Sequence, residues 1–320
     1  MTGKYAADLS TDTPIYVAGH AGLVGSSIWR HLADRGHQNL IGWRSAEVDL
    51  TDRDATMDAI TTTKPAVVID AAARVGGILA NDSRPVDFLN DNLRIQTNLF
   101  EAAHAADVDR LLFLGSSCIY PKLAPQPIKE DYLLTGHLEP TNDAYAIAKI
   151  AGIIAVASYR RQFGRHWISA MPTNLYGPGD NFDLASSHVL PAMIRKFHEA
   201  SITGDSVTLW GSGTPRREFL HTDDLAAAAV HLLRHYDSPT TINVGVGEDV
   251  SIAELAGIIS EVTGFDGEVV WDRSKPDGTP RKLLDVTRLH DTGWSAQIPL
   301  RDGIAQTYEW YLANGALARG

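Results

Sequence analysis

Tyr145 and Lys149 stand four residues apart in Tyr145-Ala146-Ile147-Ala148-Lys149. On a helix that spacing sets a phenol and an ammonium on one face. A tyrosine with an ordinary pKa near ~10 carries protons poorly at neutral pH. An adjacent positive charge favours the phenolate and brings it toward the working range. Alone the spacing means little, since a core tyrosine beside a surface lysine produces it often. Two further groups give it weight. Gly115-Ser116-Ser117 follows an apolar run and sets hydroxyls at the end of a strand, and Gly19-His20-Ala21-Gly22-Leu23-Val24-Gly25 lies between a first strand and a first helix. Glycines there let the backbone turn tightly and approach a pyrophosphate, to which the helix start presents free N–H groups. Three glycines also suit a plain flexible turn; their place between strand and helix favours the dinucleotide cradle.

These groups need a frame. The first half alternates short apolar runs with helical patterns. Strands are expected at Ile15–Gly19, Asn39–Trp43, Ala66–Asp70, Arg110–Gly115 and Trp167–Met171, with helices at Leu23–Leu32, Asp52–Thr62, Asn92–Ala106 and Asp143–Gln162. Strand and helix in alternation, with continuously apolar strands, imply a parallel sheet covered on both faces. The fold class is therefore α/β, a Rossmann-like doubly wound sheet. After Pro172 the alternation loosens. Asn174–Ser187 reads as a loop, Asp223–Leu233 as a helix, Ile242–Val246 as a strand, and 251–263 as a helix with Ser251 as its cap and Glu254 three residues on. The expected division is a dinucleotide-binding part, 14–175 plus about 218–247, and a smaller C-terminal α/β substrate-binding lobe, about 176–217 plus 248–320. Residues 1–13 read as a flexible polar tail.

The choice of nicotinamide cofactor turns on the second strand. An NAD site often places an acid at its end for the ribose 2′-hydroxyl. Here Gly42-Trp43-Arg44-Ser45 offers no acid before Glu47, and Arg44 suits a 2′-phosphate, which points to NADP. A solvated surface arginine is the plain alternative. Asp49 is assigned to the adenine.

Composition narrows the setting. The chain has 320 residues, 44% of them hydrophobic, which is enough for a substantial core. No run approaches the ~20 apolar residues that span a bilayer, and residues 1–13 lack the pattern of a signal peptide. A net charge of −11 argues against a nucleic-acid partner, while a few arginines in a cleft can still hold a small anion. A single cysteine excludes an internal disulfide and points to a reducing cytoplasm. No metal site is assigned.

Glycine loop, serine after the fourth strand and Tyr-x-x-x-Lys, in that order, make the short-chain dehydrogenase/reductase pattern. Longer runs are more specific: VAGHAGLVGS, AAARVGGILAN, LFLGSSCIYPKLAPQPI, EPTNDAYAIAKIAGI, MPTNLYGPGDNF, LWGSGTPRREFLH and SKPDGTPRKLLDVTRL. Extending from Val17 to about Trp294, they resemble the GDP-L-fucose synthase family, within the extended short-chain dehydrogenases/reductases. The resemblance implies a homodimer that epimerises carbons 3 and 5 of GDP-4-keto-6-deoxymannose and then reduces the carbon 4 ketone with NADPH. It assigns catalysis to Ser116, Cys118, Tyr145, Lys149 and His188. The cofactor contacts expected are Gly19, Gly22, Leu23, Val24, Gly25, Arg44, Asp49, Leu114, Ser116, Lys149, Pro172, Asn174, Leu175 and His188. Lys196, Trp210, Arg217 and Asp277 fall where the family holds the nucleotide sugar. Family members often carry arginine at the positions of Ala21 and Ser45; their absence leaves Arg44 for the 2′-phosphate.

Each assignment has a plain rival: a buried small hydrophobe for Cys118, an exposed loop residue for His188, core packing for Trp210, a solvated pair for Arg216 and Arg217. Two other functions use related sequences. One is a single-function nucleotide-sugar epimerase or reductase; the other is a catalytically silent, cofactor-binding redox sensor. Sensors commonly lose the tyrosine or the lysine, and both are present here.

Overall fold

A computed structural model describes residues 9–275 and 277–315, apart from the side chains of Ile78 and Leu79. Residues 1–8 of the expected tail lie outside the described residues. Along the first half, β1 (Ile15–Ala18), α1 (Leu23–Asp34), β2 (Leu40–Ile41), α2 (Arg53–Thr63), β3 (Val67–Asp70), α3 (Ile78–Ser83), α4 (Pro85–Ala105), β4 (Arg110–Leu114), α5 (Asp143–Phe163) and β5 (Ile168–Pro172) follow one another. Every residue of β1, β3, β4 and β5 is buried, because helices cover both faces of the sheet they form. A fully buried side chain such as Ile15, Val68 or Leu112 contributes about 1.5–3 kcal/mol relative to exposure.

The main sheet has six strands in the order Ile242–Val244, β5, β4, β3, β1, β2, all parallel. From β1 the chain goes to one side for β2 and to the other for β3. The helices that follow β1 and β3 pack on opposite faces of the sheet, leaving between their connections the crevice where such sheets take ligands. On one face α2, α4 and α5 pack together; on the other α1 packs on α7 (Thr222–His235).

Differences from the expected elements have local causes. α4 begins at Pro85, seven residues before the helix read from periodicity. Proline suits a first helical turn, and Asp87 there complements the helix dipole. The second strand shortens to Leu40–Ile41. Within the expected loop 174–187, Asn174–Tyr176 pairs in parallel with Phe219–His221, a partner more than forty residues away that no local pattern reveals.

A second hydrophobic cluster lies apart from the sheet. It joins Phe182, α6 (Val189–Thr203), the strand Val207–Trp210, α8 (Ile252–Thr263) and Ile304. Ser251 caps α8 through a reciprocal pair: its hydroxyl accepts from the Glu254 N–H at 3.0 Å, and the Glu254 carboxylate accepts from the Ser251 N–H at 2.6 Å. Leu284, Val286 and Leu289, from the segment assigned above to the smaller lobe, pack in the first core. Glu218 ties the two parts. Its buried carboxylate accepts from the N–H groups of Val246, Gly247 and Leu284 at 2.7, 2.8 and 3.0 Å. Among the described residues no helix is long and apolar enough to cross a membrane, and no cluster of metal-ligating side chains is found.

Candidate active site

At the carboxyl end of β1 the chain turns through Gly19, whose φ of +74° is left-handed and favours glycine. A side chain at Gly25 would collide with the Gly19 carbonyl, so the first turn of α1 lies tight against the loop. No side chain caps α1, and its first-turn amides, at Leu23, Val24 and Gly25, have no acceptor within the helix. A glycine cradle beneath uncapped amides fits the pyrophosphate of a dinucleotide.

β4 ends at Leu114, and the next residues build the reactive edge. Ser116 takes an extended conformation at the head of a 3-10 turn, Ser117–Ile119, and its oxygen accepts from the Cys118 N–H at 3.4 Å. The turn brings the Cys118 thiol back to the same oxygen, to which it donates at 3.0 Å. Across from this turn, α5 delivers Tyr145 and, one turn later, Lys149. The Ser116 hydroxyl faces the Tyr145 phenol closely enough to lower its pKa. Lys149 is buried; its ammonium donates to the Leu114 carbonyl at 2.9 Å and lies 6.0 Å from the centre of the Tyr145 ring. Four of the expected catalytic side chains thus meet within one patch.

The electrostatics differ from the sequence expectation in one respect. The Tyr-x-x-x-Lys spacing predicts a phenol lowered by its lysine. Instead burial pushes the Tyr145 pKa up, the Cys118 charge adds to this, and the Ser116 hydroxyl only partly offsets them. Tyr145 rests as a neutral acid. Burial likewise pulls Lys149 down, against the opposing charges of Asp70 and Cys118.

His188 is the residue preceding α6. Its loop is stitched to the one after β3 by a hydrogen bond from the Gly77 N–H to the Ser186 carbonyl at 3.0 Å. The residue opens to solvent, yet enough protein surrounds the ring to lower its pKa by desolvation, with the Lys282 charge adding to the effect. Lys282 also feels the charges of Cys118, Arg217 and Glu139, so one ammonium links the environments of Cys118 and His188. Motif reading passes over both Lys282 and Asp70. Lys282 lies inside a specific run without a pattern that singles it out, and Asp70 has the local setting of an ordinary strand end.

The remaining expected cofactor residues distribute unevenly. Leu114 and Pro172 end neighbouring strands, and Asn174, donating to the Glu218 carbonyl at 2.7 Å, and Leu175 follow β5 at the same edge. Arg44 and Asp49 are exposed beyond β2. The Arg44 N–H donates to Glu47 at 2.7 Å, and the Asp49 carboxylate turns back to accept from the Thr51 N–H and hydroxyl at 2.9 and 2.8 Å.

The expected substrate residues gather beside the second cluster. Trp210 ends its strand 56% exposed, with the Lys275 ammonium 5.5 Å from its ring centre. Asp277 accepts from the Ser212 N–H and hydroxyl at 2.6 and 2.9 Å. Lys196 donates from α6 to the Thr208 carbonyl at 3.0 Å. Arg217 is half-buried; one guanidinium nitrogen donates to the Arg216 carbonyl at 2.8 Å, and burial lowers its pKa. An open aromatic face and a half-buried guanidinium suit a nucleoside diphosphate.

Comparison with known proteins agrees with this geometry. Residues 15–245 match the NAD dependent epimerase/dehydratase family. The chain is 56% identical to GDP-L-fucose synthase 1 of Arabidopsis thaliana over 301 residues, covering 94% of this chain and 93% of that one. It is 53% identical to GDP-L-fucose synthase of Escherichia coli (strain K12), covering 96% and 98%. A crystal structure of a GDP-L-fucose synthetase from Naegleria fowleri bound to NADP superposes with a TM-score of 0.92 at 28% identity, covering the whole of both chains. With matches of this extent, the chain belongs to the NAD dependent epimerase/dehydratase family and, within it, to the GDP-L-fucose synthases.

Proposed function

We propose that this protein is an NADP-dependent epimerase/reductase that converts GDP-4-keto-6-deoxy-D-mannose to GDP-L-fucose, inverting carbons 3 and 5 and then reducing the carbon 4 ketone. The observation that carries the reading is the meeting of Ser116, Cys118, Tyr145 and Lys149 at one sheet edge, beside the glycine cradle. NADPH, when bound, supplies hydride to carbon 4.

The chain's own residues do the rest. A 4-ketone acidifies the hydrogens on carbons 3 and 5, and Cys118 and His188 serve as base and acid for the two inversions. Lowering of the His188 pKa leaves its imidazole neutral in the resting protein, so it accepts a proton first and acts as an acid only once it has taken one up. Ser116 and Tyr145 hydrogen-bond the carbon 4 oxygen while it bears enolate charge. In the reduction Tyr145, held neutral, gives its proton to that oxygen as it becomes an alkoxide. Lys149 favours the resulting phenolate and orients the nicotinamide ribose. The glycine loop and the α1 amides hold the pyrophosphate, and Arg44, exposed beyond β2, takes the 2′-phosphate. Trp210 and Arg217 take guanine and diphosphate, with Lys196 and Asp277 beside them.

In this reading residues 14–175 and about 218–247 carry the cofactor, and about 176–217 with 248–320 carry the sugar nucleotide. A homodimer is part of this reading, and Ile147 and Ile154, exposed two turns apart on one face of α5, support it as apolar positions suited to packing against a second copy. A cytoplasmic setting keeps the lone thiol reduced.

The test is oxidation of NADPH, against NADH, with GDP-4-keto-6-deoxymannose, and identification of the sugar by NMR. In deuterated water the product should carry deuterium at carbons 3 and 5. Cys118→Ser should slow that exchange by about 10²-fold or more. Exchange at the wild-type rate would remove Cys118 from the mechanism, and a product reduced at carbon 4 without inversion would identify a simple reductase.

A further inference from the structure

Asp70 closes β3 at the same carboxyl edge as Ser116 and Lys149, and the steps above make no use of it. It is completely buried. In the sheet it stands beside Phe113 of β4, and side chains of residues paired in this way emerge on one face. On that face the Lys149 ammonium lies 4.7 Å from the Phe113 ring centre, and it donates to the carbonyl of the next residue, Leu114. The carboxyl of Asp70 accepts from the Ala72 N–H at 3.2 Å through Oδ1; its buried Oδ2 has no hydrogen-bond partner among the described residues. A carboxylate so placed opposes folding unless an opposite charge compensates it. The opposite charge that acts on it is Lys149.

We propose that Asp70 is the counter-charge of Lys149, a positioning residue that keeps the ammonium protonated and available to Tyr145 and the nicotinamide ribose. The inference rests on the NADP-dependent reductase reading given above. Burial pulls the Lys149 pKa down, and Asp70 opposes it more strongly than Cys118, the other group acting on it. Reciprocally, burial pushes Asp70 up to about 6, and Lys149 and then the Ala72 N–H restrain that rise. From β1 the Tyr16 phenol also faces Asp70, and burial followed by the Asp70 charge holds it neutral. From α4, Gln96 brings only an amide, which donates to the Ala148 carbonyl beside Lys149. Sealed between β3, β4 and α5, each of the two groups thus favours the charged form of the other.

The sign of the effect follows. A negative charge raises the pKa of a neighbouring ammonium, so neutralising Asp70 lets Lys149 lose its proton at lower pH. Asp70→Asn keeps the size and the Oδ1 acceptor. It should move the alkaline limb of ketone reduction, and the alkaline loss of NADPH affinity, downward by about one pH unit or more. Lysine labelled with ¹³C at Cε reads the group directly, with the resonance assigned by its loss in Lys149→Arg. In the unmutated protein this signal should show an inflection near the Asp70 pKa of about 6 as well as its own titration. In Asp70→Asn the inflection should vanish and the main titration should fall. Coincident Lys149 titrations and alkaline limbs in the two proteins overturn the proposal. If Asp70→Asn does not fold, a wild-type Lys149 signal with no inflection below pH 7 overturns it equally. The NMR and NADPH titrations need no sugar, so they decide the role of Asp70 even if GDP-4-keto-6-deoxymannose proves not to be a substrate.

Discussion

At Tyr145, burial and the Cys118 charge raise the phenol's pKa, while the Ser116 hydroxyl lowers it, and burial prevails. The direction suits a group that must donate a proton when an alkoxide forms. An acid already ionised at pH 7 could not do so. Tyr145→Phe removes that proton and one hydrogen bond to the carbon 4 oxygen, yet leaves the ring and Lys149 in place. We expect reduction to slow by about 10²–10⁴-fold, with NADPH affinity changed far less, as stopped-flow and fluorescence titration will show. Cys118 and His188 belong to a different step, so exchange of solvent deuterium should survive in Tyr145→Phe better than reduction does.

Among the elements, the β1–α1 junction is where backbone geometry matters most. Gly19 needs its left-handed φ, and Gly25 has no room for a methyl group against the Gly19 carbonyl. Gly25→Ala must push α1 away from the loop, which spoils the spacing of the first-turn amides that are to hold the pyrophosphate. The expected outcome is a loss of NADPH affinity of at least about tenfold, roughly 1.4 kcal/mol, together with a lower Tm. Unchanged affinity by titration calorimetry would separate α1 from the cofactor. The short 3-10 turn after β4 has a comparable role, since it alone brings the Cys118 thiol onto the Ser116 oxygen.

Across the whole molecule, stability is set against buried acids kept near the site. Asp180, in the segment leading to His188, is buried with Oδ2 unpartnered among the described residues, and burial raises its pKa to about 7 against a hydrogen bond from the Asn181 N–H. Between the unfolded carboxyl pKa, near ~4, and about 7 the folded chain binds more protons than the unfolded one, so this group makes stability fall as pH rises through that window. Asp180→Asn removes the ionisable group. The substitution should therefore raise Tm more at pH 8 than at pH 5, and thermal melts at the two pH values check it. An equal shift at both would mean that Asp180 is not the group titrating. Burial raises the Glu218 pKa as well, but there three backbone donors surround the carboxylate, restrain the rise and join the strand end at Val246 and Gly247 to Leu284.

Much of this was legible in the residues themselves. Apolar runs of four or five residues must be doubly buried strands, the glycine loop had to stand between β1 and α1, and helical spacing alone placed Tyr145 over Lys149, because all of these follow from contacts a few residues long. Longer matching runs carried the family and its chemistry. What depended on distant partners could not be read in this way. The pairing of Asn174–Tyr176 with Phe219–His221, the influence of Asp70 on Lys149 across two strands and a helix, and the place of Lys282, which feels Cys118 and acts on His188, arise only when remote segments pack. The neutral state of Tyr145 was decided at that level too, since desolvation is a property of the surrounding protein and outweighs the local charge pattern on which the sequence expectation rested.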